Sequence, residues 1–242
     1  VLRPLAVAFG FLTRVPVRVG RVEPRELGRA LTWFPAVGAT LGAALATAHH
    51  VLAGTLASGV VAIALVAALA GATGGLHLDG VADVFDALGG GRGQRDRMLA
   101  ILRDSRIGAH GAAALAIVLC AKTLAIAELV AQRAAWALYA APVAARWAVV
   151  PLVIGFPYAR PEGLGKPFHG HAGPAQLAGA TIIAALLLAP LGARALAPTL
   201  CGAVAALAIA ARLHRHLGGL TGDVYGAAIE VAELMFLVAA GM

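Results

Sequence analysis

Charge is what this chain has least of. Only 13% of its 242 residues are Asp, Glu, Lys or Arg, about half the share of a soluble domain. Hydrophobic residues make up 60%, and the mean hydropathy is +0.85. A soluble globule could not cover so much apolar surface, and a disordered or collagen-like chain would not carry it. Cysteine is nearly absent. Cys120 and Cys201 each sit in an apolar run without a CxxC or His-rich setting, which excludes a disulfide scaffold and leaves both as packing residues. The G-x-S-x-G, P-loop and H-E-x-x-H patterns are missing, as are internal repeats and low-complexity linkers. Leu5–Leu12 is short, precedes Arg14 and has no small-residue cleavage site, so no cleavable signal peptide is expected.

What is present is apolar length. Roughly 20 apolar residues cross a bilayer as a helix, and seven stretches qualify, at about 33–53, 58–77, 109–130, 134–155, 175–193, 197–213 and 224–241. The expected fold is therefore an all-α, polytopic membrane helix bundle, with 1–242 as a single membrane-embedded domain. Residues 1–32 are too charged to span and are expected as an interfacial arm with Leu5, Phe9 and Leu12 inward. Lys122 and Arg146 fall within spans and must face protein or a wet cavity. Gly38-x-x-x-Gly42, Gly71-x-x-x-Gly75 and Gly222-x-x-x-Gly226 are assigned to close helix packing.

The net charge of +7 would suggest nucleic acid in a soluble protein. Here its distribution reports orientation instead. The N-terminal arm and the even-numbered connections hold fifteen Lys and Arg, and the odd-numbered connections hold two. The N-terminus and the even connections are therefore expected in the cytoplasm, with the lipid bilayer rather than nucleic acid as partner. Every acidic residue but Glu128 falls on that side or at its boundary.

Four patches there carry chemistry. In GGLHLDGVADVFD (74–86), Asp79, Asp83 and Asp86 have helical spacing and share a stripe about 60° wide. Three carboxylates at the end of an apolar span repel one another unless a hard divalent cation lies among them. In RDSRIGAHG (103–111), Arg103 and Arg106 flank Asp104 and Ser105, and guanidinium forks suit phosphate oxygens. Asp104 would add a metal ligand or hold an Arg. YARPEGLGKPF (158–168) is a Pro/Gly loop whose Arg160 and Lys166 suit a second anionic group. LGGLTGDVYG (217–226) leads through Asp223 to Glu230 and Glu233, which are costly in an apolar helix unless paired, for example with Arg146 or Lys122. His169 and His171 are read as surface residues. Acids for metal and bases for phosphate at a membrane boundary suit phosphoryl transfer.

The motifs GGLHLDGVADVFDALGGG, RDSRIGAHG, YARPEGLG and LGGLTGDVYGAAIEVAE resemble those of the cobalamin synthase family, the adenosylcobinamide-GDP ribazoletransferases of corrinoid-producing prokaryotes. The resemblance extends to FLTRVPV near the start and WFPAVGATLG at the first span. Ala87 departs from it, standing where many members have Gly. The resemblance implies a Mg²⁺-dependent transferase that joins adenosylcobinamide-GDP to α-ribazole, or its 5′-phosphate, and releases GMP. It implies a multi-pass protein of the cytoplasmic (inner) membrane with its site facing the cytoplasm. A homo-oligomer or other corrinoid-pathway enzymes are further partners to test. The expected metal ligands are Asp79 and Asp83, then Asp86 and Asp104. Arg103, Arg106, Arg160 and Lys166 would hold the diphosphate, with Ser105 and Glu230 also contacting substrate. His77 or Asp223 would take the hydroxyl proton. Three rivals fit less well. CDP-alcohol phosphotransferases carry DGxxAR, but no Arg follows Asp83 here. Membrane prenyltransferases need no RDSRxG. A transporter site is expected near the midplane with repeat symmetry.

Overall fold

The computed structural model describes residues 2–163 and 165–242, so Leu164 of the third patch lies outside the described residues. Those residues form helices α1 (Leu2–Leu12), α2 (Pro24–Ala30), α3 (Phe34–Leu52), α4 (Ser58–Thr73), α5 (Leu76–Gly90), α6 (Arg95–Ile101), α7 (Ala109–Ala131), α8 (Ala135–Gly155), α9 (Lys166–His171), α10 (Pro174–Leu188), α11 (Leu196–Leu217) and α12 (Gly222–Ala240).

Each of the seven apolar stretches is helical, but seven separate spans do not follow. By length and apolarity, four helical stretches among the described residues are able to cross a membrane, or five if the bent α4–α5 pair forms one span. The reason is physical. Helices α4 and α10 have 16 and 15 residues, short of the roughly 20 needed. Helices α10 and α11 belong to one long apolar stretch, interrupted at Gly192 by non-helical backbone. Helix α12 carries Asp223, Glu230 and Glu233.

The bundle is organised around α8 and α12. Helix α12 packs against α5, α7, α8 and α11, while α3 lies along α8. Close approach explains the Gly38 and Gly42 pair and, of the Gly222 and Gly226 pair, Gly226 alone, since a Cβ on Gly222 would meet nothing nearer than 3.9 Å. A Cβ on Gly38 would fall 2.8 Å from the Cα of Val143, and one on Gly42 would meet Tyr139. Gly80 and Gly226 likewise bring α5 onto α12, since a Cβ on Gly80 would fall 2.5 Å from the Asp223 carbonyl oxygen. The third pair is different. Nothing lies within 4 Å of a Cβ on Gly71 or Gly75, so that pair is not a packing face. Gly75 instead makes a corner with Gly74. Both are left-handed, with φ of 65° and 72°, a backbone that favours glycine. The corner bends the chain by 91° and separates α5 from α4.

Helix α1 turns a somewhat different face inward than expected. Leu12 is buried as anticipated, but Val7 and Ala8 are buried where Leu5 and Phe9 are only partly covered. Deep in the bundle, Lys122 of α7 contacts Glu230 at 2.9 Å and Glu233 at 2.7 Å on α12. Arg146 of α8 closes on Glu233 as well. Two cations and two anions thus tie three helices together where any one of them alone would be prohibitive.

Candidate active site

Three connections meet beside the α5–α12 crossing. The segment after α8 docks on the α11–α12 connection through two backbone bonds, Ala159 N–H to Leu220 O and Leu220 N–H to Pro157 O, both 2.8 Å. Gly219 permits the approach, because a Cβ there would fall 2.6 Å from the Pro157 oxygen. Arg95 of α6 staples both sides, donating to Leu217 O at 2.9 Å and Ala159 O at 3.2 Å. Arg160 donates to Leu102 O at 3.0 Å and to Asp223 at 3.1 Å. Segments far apart in sequence therefore share one rigid rim.

Two cavities open on this rim, and Asp79 lines both. The first, of about 290 Å³, runs inward from Asp79, Tyr158, Arg160 and Asp223 to an apolar floor. Three rings crowd that floor. Phe11 and Phe168 lie 4.5 Å apart between centroids, and Phe34 lies 5.8 Å from Phe168. Three buried polar atoms on its wall have no protein partner among the described residues: His77 Nε2, Arg160 Nε and the Tyr225 hydroxyl. Buried polar groups are rarely left so without a ligand or water to meet them. Tyr158 also lines it, and burial pushes its phenol above the ordinary value, which keeps it a neutral donor. The second cavity is wider, about 770 Å³, and more open. Its polar wall brings Arg14, Asp83 and Ser105 beside Asp79.

The expected site residues divide into two groups. Asp79, Asp83, Ser105, His77, Arg160 and Asp223 line the cavities. Asp79 and Asp83 have no Lys or Arg at ion-pair distance among the described residues. The remaining expected residues line neither cavity. Asp86 turns into the protein, where its two oxygens accept the N–H groups of Gly108 at 2.7 Å and Gly111 at 2.8 Å. On a helix it lies only about 20° round from Asp79 but roughly 10 Å farther along the axis, which puts it level with the start of α7 instead of the cavity. Glu230 is held by Lys122 in the buried cluster. Asp104 holds Arg106 at 2.6 Å, and that guanidinium keeps the Asp104 carboxyl down at about 2. Lys166 donates to the Pro161 carbonyl of its own loop, and Arg103 is exposed.

No three His, Cys, Asp or Glu side chains among the described residues close on a common point. Among the described residues, the four expected Asp side chains do not form a closed cage by themselves. Two neighbouring, unpaired carboxylates do suit Mg²⁺, which commonly takes one or two carboxylates and completes its shell with water and substrate phosphate.

The chain matches the family model described as cobalamin-5-phosphate synthase over residues 4–241. The chain belongs to that family. It is 41% identical to an adenosylcobinamide-GDP ribazoletransferase of Geotalea daltonii, covering 99% of this chain and 98% of that one. It is 40% identical to a Pseudomonas putida protein of the same name, over 96% and 95%, and 39% identical to one of Pseudomonas aeruginosa, over 98% and 97%. No solved structure matches the chain.

Several cavity residues carried no expected role. Tyr158 and Tyr225 lay inside the quoted motifs, but nothing in their spacing marked them. Arg14 and the three Phe rings come from three separate helical segments and the arm. The role of Asp86 did leave a trace. A Cβ on Gly108 would fall 2.5 Å from Asp86 Oδ1, and one on Gly111 would meet Oδ2, so the glycine spacing in RDSRIGAHG reflects this seat.

Proposed function

We propose that this chain is the ribazoletransferase of cobalamin synthesis, joining adenosylcobinamide-GDP to α-ribazole or its 5′-phosphate. The observation that carries this reading is the unpaired pair Asp79 and Asp83 on the rim between two cavities, in a chain matched to the family from 4 to 241. A hydroxyl oxygen of the ribose forms a bond to the phosphorus that bears the aminopropanol arm. The bond from that phosphorus to the bridging oxygen breaks, and GMP leaves with that oxygen.

Asp79 and Asp83 would hold Mg²⁺. When bound, the ion neutralises charge on the diphosphate and on the departing phosphate. Arg160 and Ser105 position phosphate oxygens from opposite sides of Asp79. Arg103, Arg106 and Lys166 lie farther out, on long side chains able to turn toward incoming charge. Asp223 or His77 takes the hydroxyl proton. Both line the first cavity, and His77 Nε2 has no other partner among the described residues. Asp86 and Asp104 act as positioning residues, one seating the start of α7 and the other aligning Arg106. The apolar helices and the Lys/Arg asymmetry support a multi-pass inner-membrane protein with the N-terminus and the site cytoplasmic, and the chain acting as one catalytic domain.

The test is GMP release from adenosylcobinamide-GDP by proteoliposomes supplied with α-ribazole and Mg²⁺. Release that stops when Mg²⁺ is chelated is expected. Uptake of either solute without GMP release would overturn the proposal in favour of a carrier.

A further inference from the structure

We propose that Asp79 stands between two separate substrate seats: the enclosed aromatic cavity takes the planar base of the acceptor nucleoside, and the wide cavity takes the diphosphate of the donor, clamped by Arg14. The proposal rests on the functional reading above and adds to it which substrate enters where.

Size and chemistry divide the two seats. About 290 Å³ is just under the roughly 300–1,000 Å³ that holds a drug-sized molecule. A nucleoside fits such a space, and a corrinoid macrocycle bearing a nucleotide does not. The floor is formed by the Phe11, Phe34 and Phe168 rings, and heteroaromatic bases stack on such rings. The Tyr225 hydroxyl, Arg160 Nε and His77 Nε2, unpartnered among the described residues, would meet the polar atoms of its sugar and any 5′-phosphate. They do so beside Asp223, where the hydroxyl must lose its proton.

The second seat is polar and open. Arg14 is exposed and has no carboxylate at ion-pair distance among the described residues. It nevertheless lines the same cavity as Asp79, Asp83 and Ser105. Its backbone N–H bonds Ala72 O at 2.7 Å, and its side chain lies over Gly74 at the α4–α5 corner, in space a Cβ there would fill. Gly74 thus gives the Arg14 side chain room to lie over the α4–α5 corner. An anion between Arg14 and a cation on Asp79 and Asp83 completes the charge balance there. The open mouth leaves the bulk of the donor outside the bundle.

The experiment measures KM for each substrate separately, with Mg²⁺ in proteoliposomes. Arg14→Met should raise the KM for adenosylcobinamide-GDP roughly ten- to hundredfold and leave that for α-ribazole unchanged. Arg14→Lys should show a smaller rise in the same parameter. Phe168→Leu should raise the KM for α-ribazole about tenfold and spare the donor, with Phe34→Leu as a second variant should Phe168→Leu fail to fold. A crossed pattern, or equal changes in both KM values for both classes of variant, would overturn the proposal, as would no change in any of them. Wild-type protein inert toward both substrates would instead overturn the functional reading itself.

Discussion

Two groups of charges in this apolar chain met opposite fates. In the bundle interior, Lys122, Arg146, Glu230 and Glu233 are almost wholly buried and pair with one another across α7, α8 and α12. At the α4–α5 corner, Arg14, Asp79 and Asp83 share a cavity wall with no ion pair among them. Both arrangements are expensive without compensation. The first is compensated within the protein, and so contributes architecture. The second has no such compensation among the described residues, which is why we propose it as the chemical group. Asp86 lies between these extremes. It belongs by sequence to the second group and by hydrogen bonding to the first.

The sharpest way to break this contrast is at Asp83. Asp83→Asn should abolish nearly all GMP release, a loss of roughly a thousandfold or more, while thermal unfolding in detergent stays unchanged. Near-normal turnover would remove Asp83 from the chemical group. Lys122→Met should do the reverse. It leaves Glu233 with Arg146 alone and Glu230 unpaired, and should cost about 3–5 kcal/mol of stability, read as a lower unfolding midpoint. Adding Glu230→Gln should recover much of that loss, because no uncompensated carboxylate then remains. Asp86→Ala should show both signatures at reduced size. The orphaned N–H groups of Gly108 and Gly111 cost about 1–3 kcal/mol, and displacement of Ser105 lowers turnover by about one to two orders of magnitude. His169→Ala should change turnover within about twofold, since His169 lines neither cavity. The smallest effect belongs to Asp104. Its folded-state pKa is depressed to about 2, so its pairing is fully present above the ordinary carboxylate range and is lost as pH falls through about 2. Carboxyl NMR should find Asp104 still ionised at about pH 4, where an ordinary Asp is half protonated.

Much of the site was legible because it is local. Asp79 and Asp83 are one helical turn apart, and their spacing alone puts them on one face. The need of Lys122 and Arg146 for partners followed from their place in apolar runs, and Glu230 and Glu233 were the carboxylates available. The destination of Asp86 was not legible. A shared stripe says that three side chains leave one face, but not which neighbouring helix meets its edge. Gly71 and Gly75 mislead for a similar reason, since a small-xxx-small spacing fits both a packing face and a chain corner.

Composition and periodicity by themselves determined an all-α, membrane-compatible chain with its acids and bases gathered into four patches, because hydropathy and helical spacing act over a few turns. Which charges cancel and which stay open was decided only by the fold. So was the gathering of Arg14, the three Phe rings, Tyr158 and Tyr225 around Asp79. Burial and ion pairing depend on residues more than a hundred positions apart, such as Lys122 and Glu230, and no local pattern records that distance.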